Sequence, residues 1–127
     1  MSMVLREELS EGIVAITLNR PESLNALSPA LFSELNQIVT ELSKQTDSVG
    51  CVILRGAGRC FSAGNDLKAV RSGVKAKEKF FQAKTIDLIE KLPQPTIASV
   101  HGHCLTGALE LATVSYTHLR AHETQRN

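Results

Sequence analysis

The stretch GCVILRGAGRCFSAGNDL, Gly50 to Leu67, decides the fold. After Gly50, the residues Cys51, Val52, Ile53 and Leu54 form a continuous apolar run. The run is too short for a helix and reads as a strand buried on both faces, the kind found in parallel sheets. It opens into a loop of small residues from Gly56 to Gly64. The same design recurs downstream. Thr96 to Val100 reads as a second buried strand, Gly102 and Gly107 bracket a turn, and Ala108 to Ala112 begins a helix.

Working outward, Val14, Ile16 and Leu18 alternate with Ile13, Ala15 and Thr17, so Gly12 to Asn19 reads as a strand. The preceding VLREEL pairs with it as an N-terminal hairpin through a turn at Ser10, Glu11 and Gly12. Arg20 and Pro21 break the strand. Ser28 then stands as a helix N-cap with Pro29 at the first helical position. Leu31, Phe32, Leu35, Ile38, Val39 and Leu42 follow on one helical face. A charged stretch holding Lys68, Arg71, Lys75, Lys77, Glu78 and Lys79 leads into a second amphipathic helix marked by Phe81, Thr85, Leu88, Ile89 and Leu92. Pro93 and Pro95 stop it. The expected class is therefore α/β, without internal repeats.

At 127 residues the chain has room for one domain. With 43% hydrophobic and 21% charged residues it can build a core. A net charge of +1 leaves no electrostatic footprint for nucleic acid or an anionic membrane. Four Phe, one Tyr and no Trp offer little for base stacking. Cys51, Cys60 and Cys104 are odd in number and lack CxxC spacing, which argues for a reducing compartment and against a zinc ribbon. Arg6, Glu7 and Glu8 stand where a signal peptide needs its apolar stretch, and no run is long enough to span a bilayer. A cytoplasmic protein is expected, with no membrane and no nucleic-acid partner.

Several familiar motifs fail on inspection. Gly56-Ala57-Gly58-Arg59-Cys60-Phe61 begins like a dinucleotide fingerprint but has Phe61 where the third glycine belongs. No Gly-Lys-Ser/Thr and no Gly-x-Ser-x-Gly occurs. His101 and His103 share a side of an extended chain without an evident third ligand, and suit a polar strand end equally well. His118, His122 and Glu123 would make a metal geometry only if the tail were helical.

Two glycine-centred segments carry more. FSAGNDL (Phe61 to Leu67) and GHCLTGALEL (Gly102 to Leu111) each follow a strand and lead toward a helix. Such turns leave backbone N–H groups unpaired, and two of them on neighbouring parallel strands can aim two donors at one anionic oxygen. Glu110, three residues after Gly107, stands one turn along the same helical face, an acid/base group beside that point. On either segment alone, tight turns and a surface glutamate explain the residues equally well.

Arg20-Pro21-Glu22 with Asn25-Ala26-Leu27, then FSAGNDL, then GHCLTGALELA resemble three successive signatures of the crotonase, or enoyl-CoA hydratase/isomerase, family, in order from about Val4 to Ala112. The resemblance implies the first half of a crotonase-like spiral of β-β-α turns, entered through the N-terminal hairpin. It implies that the backbone N–H groups of Asn65 and Gly107 hold the thioester carbonyl oxygen of an acyl-CoA substrate. Asn25, Ala26 and Leu27, with Ala63, Gly64, Asp66, Leu67 and Lys68, match positions that line the acyl-CoA site. Glu110 matches the first of two catalytic glutamates of the hydratases, which favours addition of water to a 2-enoyl-CoA. Enoyl-CoA isomerisation, or a non-catalytic acyl-CoA-binding module, is the alternative. No metal or redox cofactor is implied, coenzyme A being part of the substrate, and the intact enzymes are expected to be homotrimers or hexamers.

The departure lies at the C-terminal end. The second catalytic glutamate would fall beyond Asn127, and VSYTHLRAHETQRN does not resemble the family's continuation. Residues 1–113 are thus expected to be a truncated crotonase-like domain, inactive by itself, and 114–127 a foreign, adaptor-like or disordered tail without a packed role.

Overall fold

The computed structural model describes residues 2–66, 76–105, 107–114 and 117–120, the last group as backbone. Five strands lie side by side in chain order: β1 (Val4–Ser10), β2 (Ile13–Leu18), β3 (Cys51–Gly56), β4 (Thr96–Val100) and β5 (Thr117–Arg120). Helix α1 (Pro29–Ser43) connects β2 to β3, α2 (Ala76–Glu90) lies between β3 and β4, and α3 (Gly107–Thr113) lies between β4 and β5.

The hairpin forms as the alternation predicts, antiparallel with Val4 opposite Leu18, and a bulge between Glu8 and Ser10 precedes the turn. All later pairings are parallel: Val14 meets Val52, Val52 meets Thr96, and Ile97 meets Thr117. Ser28 caps α1, its hydroxyl accepting from the Leu31 N–H at 3.2 Å, and Pro29 opens the helix. Buried Leu31, Phe32, Leu35, Val39 and Leu42 then meet Val14, Ile16, Leu18, Val52, Leu54, Ala98 and Val100 in one core. The Asn36 amide donates to the Thr85 hydroxyl at 3.0 Å and ties α1 to α2.

Two expectations are corrected. β3 is not buried on both faces: Val52 and Leu54 are buried, whereas Cys51 and Ile53 are half-buried. The apolar run reads as two-sided, but the core cluster gathers on the face of Val52 and Leu54. Ile97 and Ser99 of β4 share the more open side. The second correction concerns the tail. Thr117–Arg120 is not without a packed role; it pairs along β4 from Ile97 to Val100. The absence of a helical stripe said nothing about this, because the free edge of a strand recruits backbone N–H and C=O groups whatever the side chains.

Candidate functional site

The site is built where the chain leaves β2, β3 and β4 at the same end of the sheet. Leu24 and Asn25 both adopt left-handed backbone, each at φ +53°, after the 3-10 turn Pro21–Ser23. Asparagine tolerates this region better than most residues. The Asn25 side chain is fully buried and wholly engaged. Its carbonyl oxygen accepts from the Arg20 N–H at 2.7 Å, and its amide donates to the carbonyls of Ala57 (2.8 Å), Cys60 (3.0 Å) and Phe61 (3.1 Å). The loop after β3 is thereby wrapped around one side chain. Asn25 was expected to line the acyl-CoA site; instead its polar atoms are spent inside the protein.

Ser62, also buried, extends the clasp. Its hydroxyl donates to the Asn25 carbonyl at 2.7 Å and accepts from the Gly64 N–H at 3.1 Å. Ala63 donates to the Leu24 carbonyl at 2.9 Å. Leu27 then pairs with this loop as a short parallel bridge to Asn65: the Leu27 N–H reaches the Gly64 carbonyl at 2.8 Å, and the Asp66 N–H reaches the Leu27 carbonyl at 3.1 Å. In a parallel bridge the N–H of the central residue faces away. The Asn65 N–H accordingly has no partner among the described residues. Arg20 closes the edge, its guanidinium donating to the Ala26 carbonyl at 2.8 Å and pairing with Asp66 at 3.2 Å.

The loop after β4 is tied to the same loop. Phe61 donates to the His101 carbonyl at 2.7 Å, Ser62 to that of His103 at 3.0 Å, and Leu105 to that of Ser62 at 3.4 Å, so that Ser62 and Cys104 form a second parallel bridge. Between them Gly102 turns at φ +62°, so close that a Cβ there would lie 2.5 Å from the Arg59 carbonyl oxygen. Gly107 opens α3, where first-turn N–H groups lack intrahelical acceptors. That of Ala108 is taken by the Leu105 carbonyl at 2.9 Å.

The sequence-predicted residues thus divide. Asn65 and Gly107 each lie three residues past the bridged pair Ser62 and Cys104. Ala26, Leu27, Ala63, Gly64 and Asp66 gather around Asn65 through the contacts above. Glu110 is on the exposed side of α3, and its carboxylate has no hydrogen-bond partner among the described residues. Leu67 and Lys68, with Arg71 and Lys75 of the basic run, lie outside the described residues. His101 is engaged, its Nε2 lying 2.8 Å from the Gly58 carbonyl. Among the described residues no group of three His, Cys, Asp or Glu side chains could hold a metal. Sequence reasoning missed the Ser62 clasp and both bridges. The signal for the first, a serine two residues before a glycine, is too common to stand out.

An open cavity of about 430 Å³ lies beside the second loop, lined by Val100, Cys104, Leu105, Leu109 and Ala112 among others. Leu105 and Leu109 are about half exposed there, at 51% and 53%.

The chain is similar to known proteins in sequence and in fold. A protein of Arabidopsis thaliana named "Probable enoyl-CoA hydratase 1, peroxisomal" is 37% identical over 103 residues, covering 81% of this chain and 38% of that protein. The mitochondrial Delta(3,5)-Delta(2,4)-dienoyl-CoA isomerase of Rattus norvegicus is 33% identical over 113 residues, 78% of this chain and 34% of that one. The crystal structure of an enoyl-CoA hydratase from Bacillus anthracis superposes with a TM-score of 0.86 at 33% identity, over 93% of this chain and 47% of that one. The chain spans about two fifths of the length of the curated relatives it matches. The sequence profile described as enoyl-CoA hydratase/isomerase matches residues 8–124, taking in β5. The chain belongs to the enoyl-CoA hydratase/isomerase family.

Proposed function

We propose that this chain supplies the thioester-holding part of an enzyme that adds water to a 2-enoyl-CoA. The observation that supports the reading is the unpartnered Asn65 N–H, three residues past the Ser62–Cys104 bridge on one side as the start of α3 is on the other. A carbonyl oxygen that gains negative charge as its thioester becomes an enolate is stabilised by two preorganised N–H donors. Asn65 and Gly107 are those donors. Glu110, one turn along α3, acts as the acid/base group that handles water or the proton at the adjacent carbons. These groups act on a thioester by hydrogen bonding and proton transfer, so the proposal uses no metal or redox cofactor.

Isomerisation is the second reading. The rat relative is named an isomerase, and a single carboxylate suffices to move a proton. The proposal further takes the acyl-CoA thioester as ligand and a homo-oligomer as the assembled form of the whole enzyme. No described helix is long and apolar enough to cross a membrane. The relatives include proteins named as peroxisomal and mitochondrial.

The test is crotonyl-CoA hydration, followed by loss of the enoyl thioester absorbance, in a fusion that continues this chain after Thr113 to the relatives' full length. Glu110→Gln should lower turnover by about 10² to 10⁴ while acyl-CoA affinity changes little. Unchanged turnover would remove Glu110 from the chemistry and the hydratase assignment with it. The 127-residue chain alone should show no turnover. The resemblance gives hydration two glutamates, of which this chain holds the first, Glu110.

A further inference from the structure

We infer that Asn25 and Ser62 are positioning residues for the Asn65 donor, acting through a relay of hydrogen bonds that runs from Asn25 to Ser62 to Gly64. The inference rests on the proposed thioester site and adds to it two side chains that never touch substrate.

Three consecutive N–H groups lie at the end of this loop. The Gly64 N–H is turned inward to the Ser62 hydroxyl at 3.1 Å, and the Asp66 N–H is held by the Leu27 carbonyl at 3.1 Å. Asn65, between them, is left free to donate outward. Its direction follows from its neighbours. A peptide flanked by two tied peptides cannot rotate without breaking one of them, and Gly64 at φ +99° makes the turn that only glycine adopts without strain.

The Ser62 hydroxyl cannot hold Gly64 unless it is itself oriented. Its proton goes to the Asn25 carbonyl at 2.7 Å, which leaves a lone pair facing the Gly64 N–H. The Asn25 carbonyl is fixed in turn by the left-handed backbone at Leu24 and Asn25, a conformation in which the side-chain amide reaches three carbonyls of the loop after β3. Asn25 and Ser62 are both completely buried, so no water competes for these groups. In a dry site each bond is expensive to leave unmade, and the relay therefore holds one geometry.

The experiment uses the 127-residue chain and Ser62→Ala, with Leu35→Ala as a control that loses stability in the core without touching the relay. Amide exchange by NMR should be about tenfold faster at Gly64 and Asp66 in Ser62→Ala, the effect of one lost hydrogen bond on local opening. Val14, Ile16 and Leu54 should keep their protection, and Leu35→Ala should not show this local pattern. A chromophoric arylacryloyl-CoA supplies the second readout. Bound to the wild-type chain its absorption should move to the red as the donors polarise the carbonyl. Ser62→Ala should bind with a similar Kd and a smaller shift per molecule bound, a change that mere loss of folded protein does not produce. Unchanged exchange at Gly64, acceleration spread evenly through β2 and β3, or a full red shift in Ser62→Ala would each overturn the relay. A wild-type chain that gives no red shift would count against the thioester site itself, while the exchange arm would still decide the relay.

Discussion

Replacing Gly102 with alanine should damage the chain far more than the same change at Gly12, although both glycines have positive φ. Gly12 sits at φ +79° with room for a side chain, the nearest atoms to a new Cβ lying at an ordinary contact distance of 3.9 Å. Its cost is the left-handed strain of an alanine, about 1–2 kcal/mol, offset by about 0.4–1 kcal/mol from the stiffer unfolded chain. The net is about 0.5–1 kcal/mol by those terms. Gly102, at φ +62°, has the same backbone term and a second one. Its Cβ would stand 2.5 Å from the Arg59 carbonyl oxygen, 2.9 Å from the Cys60 Cβ and 3.0 Å from the Cys60 Cα. Two of these three atoms are backbone, and the Cys60 carbonyl is held by the Asn25 amide, so the loop cannot step aside without breaking that clasp. Overpacking of this kind adds about 1–3 kcal/mol, for a total of about 1.5–4 kcal/mol. Urea denaturation with a slope of about 2 kcal/mol per molar would show the midpoint falling by about 0.8–2 M for Gly102→Ala and by about 0.5 M or less for Gly12→Ala. Equal shifts for the two variants would refute the claim that the loops after β3 and β4 are locked against each other at Gly102.

Ser28→Ala removes the acceptor for the Leu31 N–H and should cost about 1 kcal/mol of stability, read as a midpoint shift in urea without change of slope. Glu7 is held below the usual carboxylate range, first by the Thr17 hydroxyl donating at 2.7 Å and then by Arg55 at 3.0 Å. A depressed folded-state value means its contribution is complete above the ordinary carboxylate pKa and disappears as pH falls through the folded one. Because both partners are more than a third exposed, the effect is small, about 0.2–1 kcal/mol; Glu7→Gln should flatten the loss of stability as pH falls below the ordinary carboxylate pKa. An unchanged slope would remove Glu7 from the acid response. The amides of Thr117 to Arg120 that face β4 should exchange slowly, and exchange at free-peptide rates would reinstate the unpacked tail expected from its composition.

The strands, the hairpin and α1 were legible because each has a local cause: two-residue alternation in Ile13 to Leu18, a serine before a proline at Ser28, and an apolar stripe from Leu31 to Leu42. What failed were judgements about partners. Val52 and Ile53 are neighbours of similar hydrophobicity, yet one is buried and the other half-buried, because burial depends on which face the helices take. The β5 edge was illegible for the same reason, since its cause lies in the open side of β4. The proposed donor pair was legible only as glycines and small residues, for an N–H donor belongs to the backbone and the side chains record only the turns that expose it.

That distinction explains why three segments far apart in sequence read as separate signatures. Asn25, in the first, has a side chain consumed by the carbonyls of Ala57, Cys60 and Phe61 on the approach to the second. Ser62, in the second, bridges Cys104 in the third, and Gly102 fits only because the third lies directly against Arg59 and Cys60. Each signature is thus the other half of a contact. A substitution in one transmits to the donor carried by another through atoms that are already in van der Waals or hydrogen-bond contact. The geometry of the proposed Asn65 donor depends more on residues 25, 62 and 102 than on the Asn65 side chain. Variants at the former should therefore disturb thioester polarisation, whereas Asn65→Ala, which keeps the N–H, should leave it largely intact.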